Sequence, residues 1–444
     1  METAKDRMDE LLADALKGGA REMALSDEFM GRLLHETRPY ARFRNHPRAW
    51  ALAAALTFVS LGSFGMWTGV IPVPRFFAAS SVGAPAVPVR VADEGPVAVP
   101  VQRAAARVVR EAKPEIADDI DRSIVNALDY LVSQQREDGT FPAQYGKSTA
   151  MPALAGMAFL SKGCLTDDKR YGKTILKCID YVLSQADMRD NQRFKGYLGG
   201  ADGGRMYAHS ISTLFLSECS GMVDEERQAK IDEVLPFAVR VIVDAQNQQK
   251  APQHLGGWRY DPGAGDSDLS CSGWALMALK SARLNGAPVP DDAIEKAVLY
   301  IKRAYRDSDG TFGYQGANGS NADTLSGAAI LCLELCGRHL EPEALKAAKY
   351  LQKTYRRALA GGGGHPFYGL YYTAQGLFQI GGDIWKEFEP WMYETYRAKQ
   401  RPDGSWVGGG NESSPIYATA MTVLAFTVPY RMLPIYQRDE TVDY

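Results

Sequence analysis

The sequence predicts an all-α protein. Its body is an α6/α6 toroid, six inner helices ringed by six outer ones, set behind an N-terminal transmembrane helix and a Pro/Val/Ala-rich linker. Three observations carry this expectation: residues 49–71 hold no charged side chain, residues 72–115 hold seven prolines, and from about residue 116 an amphipathic segment followed by an apolar one recurs six times.

The N-terminal part reads as tail, span and linker. Residues 1–48 are polar, with nine acids and nine bases. The 23 residues of 49–71 carry Trp50 and Trp67 near their ends. Roughly 20 apolar residues cross a bilayer as a helix, and indole rings favour its interfaces. Arg38, Arg42, Arg44 and Arg48 flank the stretch on the N-terminal side, whereas only Arg75 follows it before Arg90. That bias predicts a single-pass membrane protein with the N-terminus in the cytoplasm and the remainder extracytoplasmic. A cleaved signal peptide would need a charged region far longer than usual, so an uncleaved anchor is favoured. The prolines of 72–115 predict an extended linker.

Residues 116–437 form the predicted repeat domain. Six apolar, Ala/Leu-rich segments begin near Thr149, Met206, Leu269, Asp323, Phe367 and Ser414. Being apolar all round, they predict helices buried on every side. Before each lies a segment with charges and apolar residues at helical spacing, which predicts a helix with one wet face. Six such pairs, with the apolar members doubly buried and no polar end caps, favour a closed ring over an open solenoid.

The loops between outer and inner segments repeat a signature: Asp138-Gly139-Thr140-Phe141, Asp309-Gly310-Thr311-Phe312 and Asp403-Gly404-Ser405-Trp406. Asp-Gly is a turn dipeptide in which Gly takes positive φ, leaving the aromatic residue to pack over a neighbouring outer helix. These strings resemble the repeats of squalene cyclases (terpenoid cyclases) and of protein prenyltransferase β subunits. The resemblance covers over two-thirds of the chain and implies a ring around an apolar, aromatic-lined cavity for isoprenoid chains.

At the third inner segment the chain departs from both families. Where the cyclase motif reads Asp-x-Asp-Asp-Thr, this chain has Asp268, Ser270, Cys271 and Ser272, so Ser270 stands in the proton donor's place. A hydroxyl of such high pKa cannot protonate an alkene. Against the zinc prenyltransferases, Asp268 and Trp274 keep the spacing, but Ser270 replaces the ligand Cys and Gly369 the ligand His. A catalytic zinc needs three protein ligands, so the comparison implies no metal and no cofactor.

Candidate catalytic groups are Asp268, His209 and Asp323. Asp268 serves equally as a helix N-cap, a role the placement of Asp323 repeats one hairpin later, and His209 as a satisfied core histidine. Asp266 is expected to pin the Gly-rich loop before Asp268, while His254 and His365 sit in loops able to cover the cavity. Expected cavity-lining residues are Tyr207, Trp258, Ser270, Cys271, Trp274, Tyr368, Tyr371, Tyr372 and Tyr417. Cys332 and Cys336 share a helix face as small core residues. An oxidising compartment would permit a disulfide between Cys164 and Cys219.

The net charge of −3 gives no basic footprint for nucleic acid. The expected partners are the membrane, through residues 49–71, and, as the resemblance implies, an apolar small molecule of isoprenoid kind. Binding without standard cyclase or zinc prenyltransferase chemistry is favoured. The alternatives are a carbohydrate-active (α/α) toroid using an acid pair such as Asp268 and Asp323, or a non-catalytic scaffold or signalling protein.

Overall fold

The computed structural model describes residues 118–436, apart from 143–145, 191–192, 340 and 363–364. The expected tail (1–48), membrane helix (49–71) and linker (72–115) lie outside these residues. Among the described residues, no helix is long and apolar enough to cross a membrane.

Twelve α-helices appear among the described residues, as six hairpins in chain order. They are α1 Asp118–Gln134 and α2 Ala150–Ser161, α3 Gly172–Ser184 and α4 Arg205–Cys219, α5 Glu225–Gln246 and α6 Leu269–Leu284. Then follow α7 Asp291–Arg303 and α8 Ala322–Leu335, α9 Pro342–Arg357 and α10 Pro366–Ile380, α11 Gly382–Arg397 and α12 Pro415–Phe426. The even-numbered helices form the inner ring. Each packs on the next, and α12 packs on α2, so the ring is closed.

Apolar spacing decides which layer a helix joins. In α1 the buried residues Ile120, Ile124, Ala127, Leu128 and Leu131 form one stripe, and the charges face water. In α2 every residue from Pro152 to Ser161 is buried, because outer helices cover one side and the ring axis the other.

The Asp-Gly loops are the joints of the ring. Gly139 has φ +84°, and a Cβ there would lie 2.4 Å from the carbonyl oxygen of Lys177 on α3, the next outer helix. Gly256 comes as close to Lys296 O of α7 (2.1 Å), Gly404 to Asn126 O of α1 (2.3 Å) and Gly196 to Phe237 Cβ of α5 (2.5 Å), whereas Gly310 sits more loosely, 3.1 Å from Lys346 Cβ of α9. Only glycine combines positive φ with so close an approach. The Asp side chains brace three of these turns: Asp138 Oδ1 accepts from Thr140 Oγ1, Asp309 Oδ1 from Thr311 Oγ1 and Asp403 Oδ1 from Ser405 Oγ, each at 2.7 Å.

In the third, fourth and sixth hairpins the residue two past the joint glycine then docks on the following inner helix through its backbone N–H. Trp258 donates to Ser272 Oγ at 2.9 Å, Phe312 to Ser326 Oγ at 3.1 Å and Trp406 to Thr419 Oγ1 at 3.0 Å. In the second hairpin Leu198 donates to His209 Nδ1 at 3.1 Å instead. The fifth joint departs from the pattern: α9 runs on into a wide turn at Ala358–Gly362, held by Tyr396 Oη, which donates to Leu359 O at 2.8 Å.

Candidate functional site

Each inner helix follows an outer one, so all six begin at the same end of the ring. A cavity of about 540 Å³ opens there. Leu154 of α2, Ile211 of α4 and Trp274 of α6 lie about a turn inside their helices and make its apolar depth. Tyr207, Tyr260, Tyr368 and Tyr417 ring the level above, and Ser148, Arg205, His365, Glu412 and Ser414 form a polar rim.

A fixed network backs one side of this wall. Asp268 has extended backbone angles and caps α6, its Oδ1 accepting from Cys271 N at 2.8 Å. The same oxygen accepts from Ser270 Oγ at 2.6 Å. Oδ2 accepts from Arg259 Nη1 at 2.9 Å, so a fully buried carboxylate has a charged partner and a full set of donors. Ser270 Oγ in turn bonds Tyr207 Oη at 2.5 Å, and Tyr368 Oη donates to Ser270 O at 3.2 Å. Burial pushes the Tyr207 and Tyr368 phenols well above their ordinary range, which keeps both protonated at neutral pH.

Across the cavity, Glu412 closes a short turn in the Gly-rich loop before α12. Its carboxylate accepts from Phe367 N and Tyr368 N, each at 2.9 Å, and so caps the first turn of α10. Burial raises its pKa, and the two N–H groups act against that rise. Sequence reasoning missed Glu412. Its signal is an acid in a glycine-rich loop, GGGNESSP, immediately before an inner helix.

Of the residues predicted to line the cavity, Tyr207, Trp274, Tyr368 and Tyr417 do so. Ser270, Cys271, Tyr371 and Tyr372 stand behind the wall, where Tyr371 stacks on Trp274 with ring centroids 5.4 Å apart. Trp258 points away from the axis, its indole donating to Ile242 O of α5 at 2.7 Å. His254 accepts from Ser267 N at 3.2 Å and braces its own loop, whereas His365 reaches the rim. Asp266 lies 3.3 Å from Arg259 and pins the loop as expected.

The three catalytic candidates are dispersed. Asp268 is sealed behind Ser270. His209 is fully buried, with Nδ1 accepting from Leu198 N and Nε2 placed 3.0 Å from Ala238 O, and burial lowers its pKa to about 4. Asp323 does not cap α8: its carboxylate turns outward to accept from Tyr350 Oη of α9 at 2.6 Å, because Asn321 in the left-handed region sets the helix start two residues earlier. Among the described residues, no group of three His, Cys, Asp or Glu is placed to hold a metal ion. Cys164 and Cys219 are not bridged to each other; Cys219, at the end of α4, lies near Cys178 of α3. Cys332 is buried in the α8 core, its thiol 3.8 Å from Gly273 O.

The opposite end of the ring is covered by the last described segment. Ile435 N donates to Glu218 Oε2 of α4 at 3.3 Å, and Gln379 Nε2 of α10 donates to Tyr436 O at 3.3 Å. Tyr436 Oη bonds Tyr371 Oη. The cavity floor is thus layered: Trp274, then Tyr371, then Tyr436.

No family model and no curated protein matches the chain. Solved structures do. An inactive variant of the α-1,6-mannanase GH76A of Salegentibacter sp. HEL1_6, in complex with α-1,6-mannotriose, is 11% identical over 70% of this chain and 99% of that chain, with a TM-score of 0.51. Type II terpene cyclase MstE from Scytonema (apo) is 16% identical over 71% of this chain and 99% of that chain, with a TM-score of 0.46. A variant of MstE in complex with the substrate geranylgeranyl dihydroxybenzoate gives 14% identity, 71% and 98% coverage and a TM-score of 0.43. At such identities the likeness is one of fold, and the fold it shares with the mannanase is the α/α toroid.

Proposed function

We propose that this ring binds an apolar small molecule, isoprenoid or similar, in the cavity at the N-terminal ends of its inner helices, without cyclase or zinc prenyltransferase chemistry. Residues 49–71 anchor it in a membrane, with the tail cytoplasmic and the ring extracytoplasmic. The carrying observation is the lining: an aliphatic and indole depth below four tyrosines, in which Glu412 is the one carboxylate among the described lining residues and already caps α10. A glycosidase needs two carboxyl groups across a polar groove. Here Asp268 is buried against Arg259, and Asp323 faces Tyr350.

The test is mass spectrometry of organic extracts from the purified full-length chain and from a Leu154→Phe variant, which narrows the cavity. An apolar molecule bound near stoichiometry in the former and depleted in the latter is the expected result. Extracts empty in both cases overturn the reading.

A further inference from the structure

The polarity of the wall says what the ligand must carry. Asp268 accepts, so the one proton of Ser270 Oγ is committed to it. Tyr207 Oη must then donate to Ser270 Oγ, and Tyr368 Oη donates to the carbonyl of the same residue. Both phenols thus spend their protons on Ser270, which stands behind the wall, and keep only lone pairs to offer the cavity that they line. Glu412 is an acceptor throughout.

Helix N-termini ordinarily attract anions. At α6 and α10 that place is already held by the carboxylates of Asp268 and Glu412. At the tyrosine level an anionic head would meet lone pairs and a carboxylate, with Arg205 and His365 standing only at the rim. A cationic head would meet Arg259, whose guanidinium lies over Tyr260 at 4.3 Å from the ring centroid, and Arg205 at the rim.

We propose that the ligand is an uncharged apolar molecule bearing a hydroxyl group, which donates its proton to the Tyr207 and Tyr368 oxygens while its skeleton lies against Leu154, Ile211 and Trp274. This inference rests on the apolar-ligand reading above and names the chemistry of the head.

Four probes with one hydrocarbon chain decide it: farnesol, farnesyl methyl ether, farnesylamine and farnesyl phosphate, titrated calorimetrically into the delipidated full-length chain. Farnesol is expected to bind about tenfold more tightly than its ether, since the ether lacks the donor. It should also exceed the amine and the phosphate. A Tyr207→Phe/Tyr368→Phe double variant, with its circular dichroism checked against the parent, should bind alcohol and ether alike. Equal binding of alcohol and ether by the parent, or tightest binding of the amine or phosphate, overturns the hydroxyl assignment and leaves the apolar reading standing. Failure of all four probes to bind overturns the apolar reading itself.

Discussion

Two buried groups, His209 and Glu218, set opposite pH slopes. Burial keeps His209 neutral in the fold and brings its pKa down to about 4, although the Ala238 carbonyl beside Nε2 acts against that fall. Unfolded, it takes up a proton near pH 6.5, so its contribution to stability is present above that value and is lost as pH falls toward 4. Glu218 runs the other way. Burial pushes its pKa up to about 7, against the hydrogen bonds from Ser281 and Ile435. The folded state therefore holds this proton more tightly than the unfolded one, and the contribution is full below about pH 4.5 and lost as pH rises through 7. Glu218→Gln is expected to match the parent near pH 5 and to exceed its unfolding free energy by about 3 kcal/mol at pH 8; urea titrations at the two values measure it. A parent–variant difference that does not change with pH sinks the assignment. The sequence could offer His209 only as either a titrating group or a core histidine. What decides is that Leu198 needs an acceptor where other hairpins place Ser272, Ser326 or Thr419, a fact of loop geometry.

At the scale of elements, hydrophobic pattern carried most of the information. All six apolar segments and all six amphipathic ones are helices, since burial on one or on all sides is written directly into side-chain polarity. The loops were legible only where Asp-Gly recurs. Gly196 and Gly256 make the same close approach without a preceding Asp, so the second joint lacked the written signal and the third kept only the looser Gly256-Gly257-Trp258. The joints also predict where a methyl group is costly. Gly404→Ala places a Cβ 2.3 Å from Asn126 O at φ +89°, whereas Gly221→Ala has φ +86° and open space within 4 Å. The first should cost about 3 kcal/mol and the second about 1 kcal/mol. Thermal unfolding of both variants checks this, and equal losses would remove the joint from the argument. Cavity residues were legible at helix starts, where Tyr207, Tyr368 and Tyr417 stand, and in loops only at His365. Glu412 and Tyr260 reach the cavity through turns whose direction no periodicity records.

At the scale of the whole molecule, the last hairpin is fastened to the first. Gln400 Nε2 donates to Ser123 O at 2.8 Å, Ser123 Oγ donates to Gln400 Oε1 at 2.7 Å, and Arg397 pairs with Asp119 at 2.7 Å. Open repeat arrays unfold from their ends, but a closed ring has none. The toroid should therefore lose secondary structure and buried-tryptophan fluorescence in one coincident urea transition, and Gln400→Ala should move that transition as a whole. Two separated transitions in the variant would count against closure as the source of cooperativity. The segment ending at Tyr436 has a consequence for traffic. With one end of the ring stoppered by Ile435 and Tyr436, arrival and departure are the same path run in reverse. The molecule proposed for the cavity would then have to back out past the tyrosines before another took its place, and exchange is expected to run at the pace of its release.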